Sequence, residues 1–127
     1  MQEKQVFEYA VIRVVTRVER GEYLNTGVIL FCKAQAYLGM KYVVSEEKLR
    51  ALYDEIDLFE ISCHLEAFEK ICLGDPDGGP IAALDLPSRF RWLTAKRSTM
   101  IQSSEVHPGL STDPNGTLEK LFTELVS

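Results

Sequence analysis

The sequence predicts an α+β fold over residues 1–127 as a single domain: an antiparallel β-meander of about four strands packed with three to four helices. Three observations carry that reading. The run VFEYAVIRVVTRV at residues 6–18 is rich in β-branched and aromatic types. Apolar residues recur at helical spacing through the middle of the chain. A proline-led amphipathic segment closes it.

The elements follow in order. In the first strand Val6, Glu8, Ala10, Ile12, Val14, Thr16 and Val18 share one face, and Phe7, Tyr9, Val11, Arg13, Val15 and Arg17 the other. The turn Glu19-Arg20-Gly21-Glu22 requires positive φ at its glycine. Leu24-Asn25-Thr26 leads to a second strand, Gly27–Lys33, apolar on both faces and so central in the sheet or covered by a partner. A third strand runs over about Tyr37–Val44. Ser45 caps a first helix, with Glu46 and Glu47 in the turn where the helix dipole favours acids. Asp57 and Glu60 open a second, whose buried stripe is Leu58, Ile61, Leu65, Phe68 and Cys72, and Gly74 stops it. Residues 75–80 are loop, and Pro87 begins a short helix with Phe90 and Leu93 inward. Arg97–Ser103 reads as a fourth strand and Val106–Thr112 as a loop. Asp113-Pro114 then starts a last helix with Leu118, Leu121, Phe122 and Leu125 on one side. The helices are expected on one face of the sheet.

Charge narrows the function classes. The chain carries 14 basic and 19 acidic residues, a net −5, with 46% hydrophobic residues. That balance argues against a general nucleic-acid binder and against an anionic-membrane surface binder. No apolar run approaches the roughly 18 residues of a membrane span. The polar start Met1-Gln2-Glu3-Lys4-Gln5 does not read as a signal peptide. Three cysteines, Cys32, Cys63 and Cys72, with no CxxC spacing, fit a cytoplasmic protein and small core residues. Two histidines offer no metal site, and no cofactor motif is present. Residues 44–85 hold eleven acids and three bases, whereas residues 86–104 hold Arg89, Arg91, Lys96 and Arg97 and no acid. The segregation hints at an electrostatic interface; the plainer alternative is a set of solvated helix faces.

Two polar blocks are the candidate sites. The first is Arg13, Arg17, Arg20 and Asn25, a guanidinium-lined surface suited to gripping phosphate or carboxylate groups. Its plain reading is a sheet face whose arginines pair with nearby glutamates, and a turn capped by Asn25. The second is Arg97, Ser98, Thr99, Gln102 and His107. Arg97 would supply charge, the hydroxyls donors, Gln102 orientation and His107 a proton carrier near neutral pH. Its plain reading is an edge strand with polar side chains in water. The second block is expected to pair with the first strand, which would place Arg97 and Gln102 near Arg13 and Arg17. Replacing Arg97 by alanine is then expected to weaken binding with little change in melting temperature.

The stretches YAVIRVVTRVERGEYLNTGVILFC and RWLTAKRSTMIQSSEVHPGL resemble the two signature blocks of a bacterial family of uncharacterised proteins, domain of unknown function 3037. The likeness runs from about Tyr9 to Val126; Thr16 and Lys96 stand where similar sequences carry proline. The resemblance implies no activity, but it points to small HipA-like kinases as protein partners, since members are encoded beside them. Three functions compete. The first is a non-enzymatic binding or accessory module, partnering a HipA-like kinase. The second is a small phosphate- or nucleotide-handling enzyme with an Arg/Ser/Gln/His pocket for an anionic small molecule. The third is a homo-oligomer built through the second strand.

Overall fold

A computed structural model describes residues 3–126. The strands are β1 (Gln5–Arg17), β2 (Glu22–Cys32), β3 (Tyr37–Tyr42), β4 (Ile101–Ser103) and β5 (His107–Ser111). The helices are α1 (Glu46–Leu52), α2 (Leu58–Leu73), α3 (Leu86–Leu93) and α4 (Pro114–Leu125). The five strands form one antiparallel sheet in the order β3-β2-β1-β4, with β5 also paired to β1. β1 is long enough for two partners on one edge: β4 takes Ile12–Val14, and β5 takes Gln5–Tyr9. The α+β class and the pairing of the second polar block with β1 are as the sequence implies.

Local chemistry sets the helix ends. Ser45, Asp57 and Asp85 each accept a backbone N–H from the first turn of α1, α2 and α3, and α2 closes on Gly74. Each such cap satisfies a donor that helix geometry leaves without a partner.

Alternation along β1 divides the core in two. Ala10, Ile12 and Val14 pack with Ile29 and Phe31 against Leu49, Ile61, Leu65, Phe68, Phe90 and Leu93. On the opposite face Phe7 joins Val28, Leu30 and Cys32 under Leu118 and Phe122 of α4. The helices therefore lie on both faces, not one. α4 takes the far face because β2 is apolar on both sides, and both need covering.

Four further features differ from expectation. β2 begins at Glu22, five residues earlier than Gly27, and β3 ends at Tyr42. The expected strand over Arg97–Ser103 is reduced to Ile101–Ser103, because Arg97 turns back onto the end of α3. The expected loop at residues 106–112 contains β5, where Pro108 is tolerated because the strand lies at an edge. Cys32 and Cys72 are buried as anticipated, but Cys63 is exposed on the outer side of α2. Among the described residues, no helix is long and apolar enough to cross a membrane.

Candidate functional site

Two irregularities in the β1–β2 ladder place the arginines. Thr26 is left out of the pairing between Ile12 and Arg13, and Thr16 between Val15 and Arg17. An extra residue in one strand re-aims the side chains that follow it. Up to Val15 the alternation holds, so Arg13 and Val15 share a face with Tyr23, which lies opposite Val15. Beyond Thr16, Arg17 swings away: its guanidinium lies 5.5 Å from the Tyr53 ring and 3.2 Å from Glu19 Oε1. Arg13 and Arg17 therefore serve different cavities, although strict alternation puts them on one face.

The first cavity, of about 360 Å³, is lined by Arg13, Val15, Gly21, Tyr23, Arg97, Ser98 and Gln102. Register builds it, since Arg13 faces Gln102 across the β1–β4 pair. The Arg13 guanidinium sits 4.4 Å above the Tyr23 ring, and its Nε is buried without a hydrogen-bond partner. Arg97 enters from the α3 end. Its Nη1 donates to the Leu93 and Ala95 carbonyls at 3.2 and 3.4 Å, and its Nη2 to that of Trp92. Its guanidinium also lies 4.3 Å from the Trp92 ring. Burial pulls its pKa below the usual arginine value, yet a guanidinium stays charged at neutral pH. Gln102 Nε2 donates to the Thr99 carbonyl at 2.9 Å. Gly21, with φ +67°, lets the β1–β2 turn pass beside the cavity without a side chain. The lining carries two cations and no carboxylate, so it suits an anion.

The neighbouring cavity, of about 520 Å³, shares Val15 and is otherwise lined by Thr16, Arg17, Glu19, Tyr53, Glu60, His64, Thr99 and Met100. Its charges are mixed: Arg17 pairs with Glu19, and His64 Nε2 lies 3.7 Å from Glu60 Oε1. Thr99 belongs here, its hydroxyl donating to the Ile101 carbonyl at 3.0 Å.

The remaining candidates fall outside both cavities. Arg20 pairs with Glu22 at 2.7 Å on the surface. Asn25 Nδ2 donates to the Leu125 carbonyl at 3.2 Å, which ties β2 to the end of α4. His107 is exposed on β5, opposite Tyr9, with the two rings 5.4 Å apart. Four residues of β1 separate Tyr9 from Arg13, about 13 Å along an extended strand. Of the nine candidates, Arg13, Arg97, Ser98 and Gln102 thus converge on one cavity. Val15, Gly21 and Tyr23 also line it without being among the nine, and Tyr23 is the one that touches a candidate, Arg13. Its signal lay in extending the second strand back to Glu22, which brings Tyr23 opposite Val15.

No curated protein and no solved structure matches the chain. One family does, with a match that runs from Tyr9 to Val126 and takes in both polar blocks and every residue lining the cationic cavity. By that match the chain belongs to the family described as Protein of unknown function (DUF3037).

Proposed function

We propose that this chain is a non-enzymatic binding module of the bacterial cytosol that recognises an anionic group of its partner in the cavity between Arg13 and Arg97. One observation carries the reading: two guanidinium groups from distant parts of the chain line a single cavity to which no carboxylate contributes. Paired charges of one sign in a concave site steer and hold a ligand of the other sign. The catalytic alternative needs His107 beside Arg97 as proton carrier, and the separation along β1 stands against that arrangement. A HipA-like kinase, the partner that the family resemblance implies, is the first protein to test.

The test is a titration of purified HipA-like kinase against the wild type and Arg13→Ala. The expected result is a micromolar complex that Arg13→Ala weakens about tenfold, the equivalent of roughly 1.4 kcal/mol. Equal affinity for both proteins, or no complex at micromolar concentration, removes the reading.

A further inference from the structure

The cationic cavity differs from its neighbour in its charge balance. Four cations among the described residues, Arg17, Arg20, Lys41 and Arg50, have a glutamate partner. Arg13 and Arg97 do not. Arg13 lies against the Tyr23 ring, and Arg97 against backbone carbonyls and the Trp92 ring. Rings and carbonyls attract a cation without cancelling its charge. The cavity lining therefore holds two formal positive charges and no negative one. The neighbouring cavity, by contrast, sets Glu19 and Glu60 against Arg17.

A carboxylate entering the cationic cavity neutralises one of the two guanidinium groups and leaves the other unmatched. A dianion neutralises both. On the reading that this cavity binds an anion, we propose that its ligand is a phosphate monoester in the dianionic form, in preference to a carboxylate. A phosphoryl group carries up to two negative charges near pH 7 and offers three strong acceptor oxygens. The Arg13 guanidinium and the Ser98 hydroxyl line the cavity as donors of the kinds that satisfy them, and Arg97, whose Nη1 and Nη2 already donate to backbone carbonyls, adds the second positive charge. Tyr23, about half exposed, supplies an apolar wall for the carbon side of the ester.

The experiment exploits the titration of the ligand. Both guanidinium groups stay charged between pH 5.0 and 7.5, whereas a phosphate monoester passes from monoanion to dianion near pH 6. Phenyl phosphate, benzoate and sulfate are titrated separately into the wild type at those two pH values. Phenyl phosphate is expected to bind roughly tenfold more tightly at pH 7.5 than at 5.0, following its dianion fraction. Sulfate should bind equally at both, and benzoate more weakly than phenyl phosphate at pH 7.5. Arg13→Ala, checked for an unchanged melting temperature, should weaken phenyl phosphate at least tenfold, with Arg13→Lys in between. Benzoate binding as tightly as phenyl phosphate, with no dependence on pH, overturns the dianion assignment and leaves the anion cavity standing. Failure of all three anions to bind removes the anion cavity itself, and this proposal with it. Phenyl phosphate that binds wild type and Arg13→Ala alike sits elsewhere and also overturns the assignment. A phosphoserine peptide and a free nucleoside monophosphate, each supporting the proposal if it binds with the same pH profile, separate the two sources of such an ester.

Discussion

The last turn of an α-helix leaves carbonyls without intrahelical partners. At the end of α3 the Arg97 guanidinium donates to those of Trp92 and Leu93, and also to Ala95 beyond the helix. It lies against the rings of Trp92 and Phe68 as well, at 4.3 and 5.2 Å. Arg97 therefore ties the end of α3 as well as lining the cavity, and these contacts stand against the expectation that its loss leaves the melting temperature unchanged. Arg97→Ala should lower stability by about 1–3 kcal/mol, through unpaired carbonyls and lost stacking. Arg97→Lys keeps the charge without the planar fork and should fall between the two. Urea denaturation reads both, and an alanine variant with the wild-type midpoint would show that the carbonyl contacts contribute nothing. Sequence marks Arg97 as a cation in a polar run but cannot show which partners it meets. Arg13 is legible for the opposite reason: its place in a strictly alternating strand fixes its face up to the irregularity at Thr16.

At the level of elements, what alternates or is capped could be read, and what depends on pairing could not. The run at residues 6–18, the capped starts of α1 and α2 and the stop at Gly74 all follow from local chemistry. β5 does not, because Pro108-Gly109 are turn residues by local chemistry and become strand only through β1. Gly109 lies opposite Phe7, and a Cβ there would collide with the buried Phe7 ring. The glycine is thus required by the ring that packs over it, not by a turn. Gly109→Ala should destabilise the protein by about 1–3 kcal/mol, the range for overpacking a filled core. Leu110→Ala on the same strand should change stability little, since that side chain is 63% exposed. Paired thermal melts decide it: equal melting temperatures for the two variants would mean that β5 yields to the added methyl without strain.

At the scale of the molecule, an amphipathic helix announces that it has an inner face but not which side of the sheet receives it. α4 settles on the face opposite α1, α2 and α3, so the sheet is closed from both sides. The closure withdraws ionisable groups from water on each. Burial raises the Tyr37 pKa, with Glu119 and Asp113 of the α4 side adding to it, and the Tyr37 hydroxyl donates to Asn115 Oδ1 at 3.1 Å. Across the sheet, burial raises Tyr42, helped by Glu69 and Glu66 of α2. Burial pushes the Cys72 thiol from 9.0 up to about 12, against an opposing pull from Arg89. All three groups are neutral when protonated, and the fold favours that form. Their contribution to stability is complete below the unfolded-state values near pH 9–10 and is lost as pH rises through the raised folded-state values. Unfolding free energy should therefore begin to fall above about pH 9 and fall more steeply toward pH 12. A three-unit rise at Cys72 corresponds to about 4 kcal/mol of that loss. Cys72→Ala removes the thiol and leaves a small void, so its stability at pH 8 should be lower while its alkaline decline becomes shallower. Urea midpoints at pH 8, 9.5 and 11 for both proteins provide the measurement. Parallel declines in the two would assign the alkaline loss to the tyrosines on β3 and exclude the buried thiol.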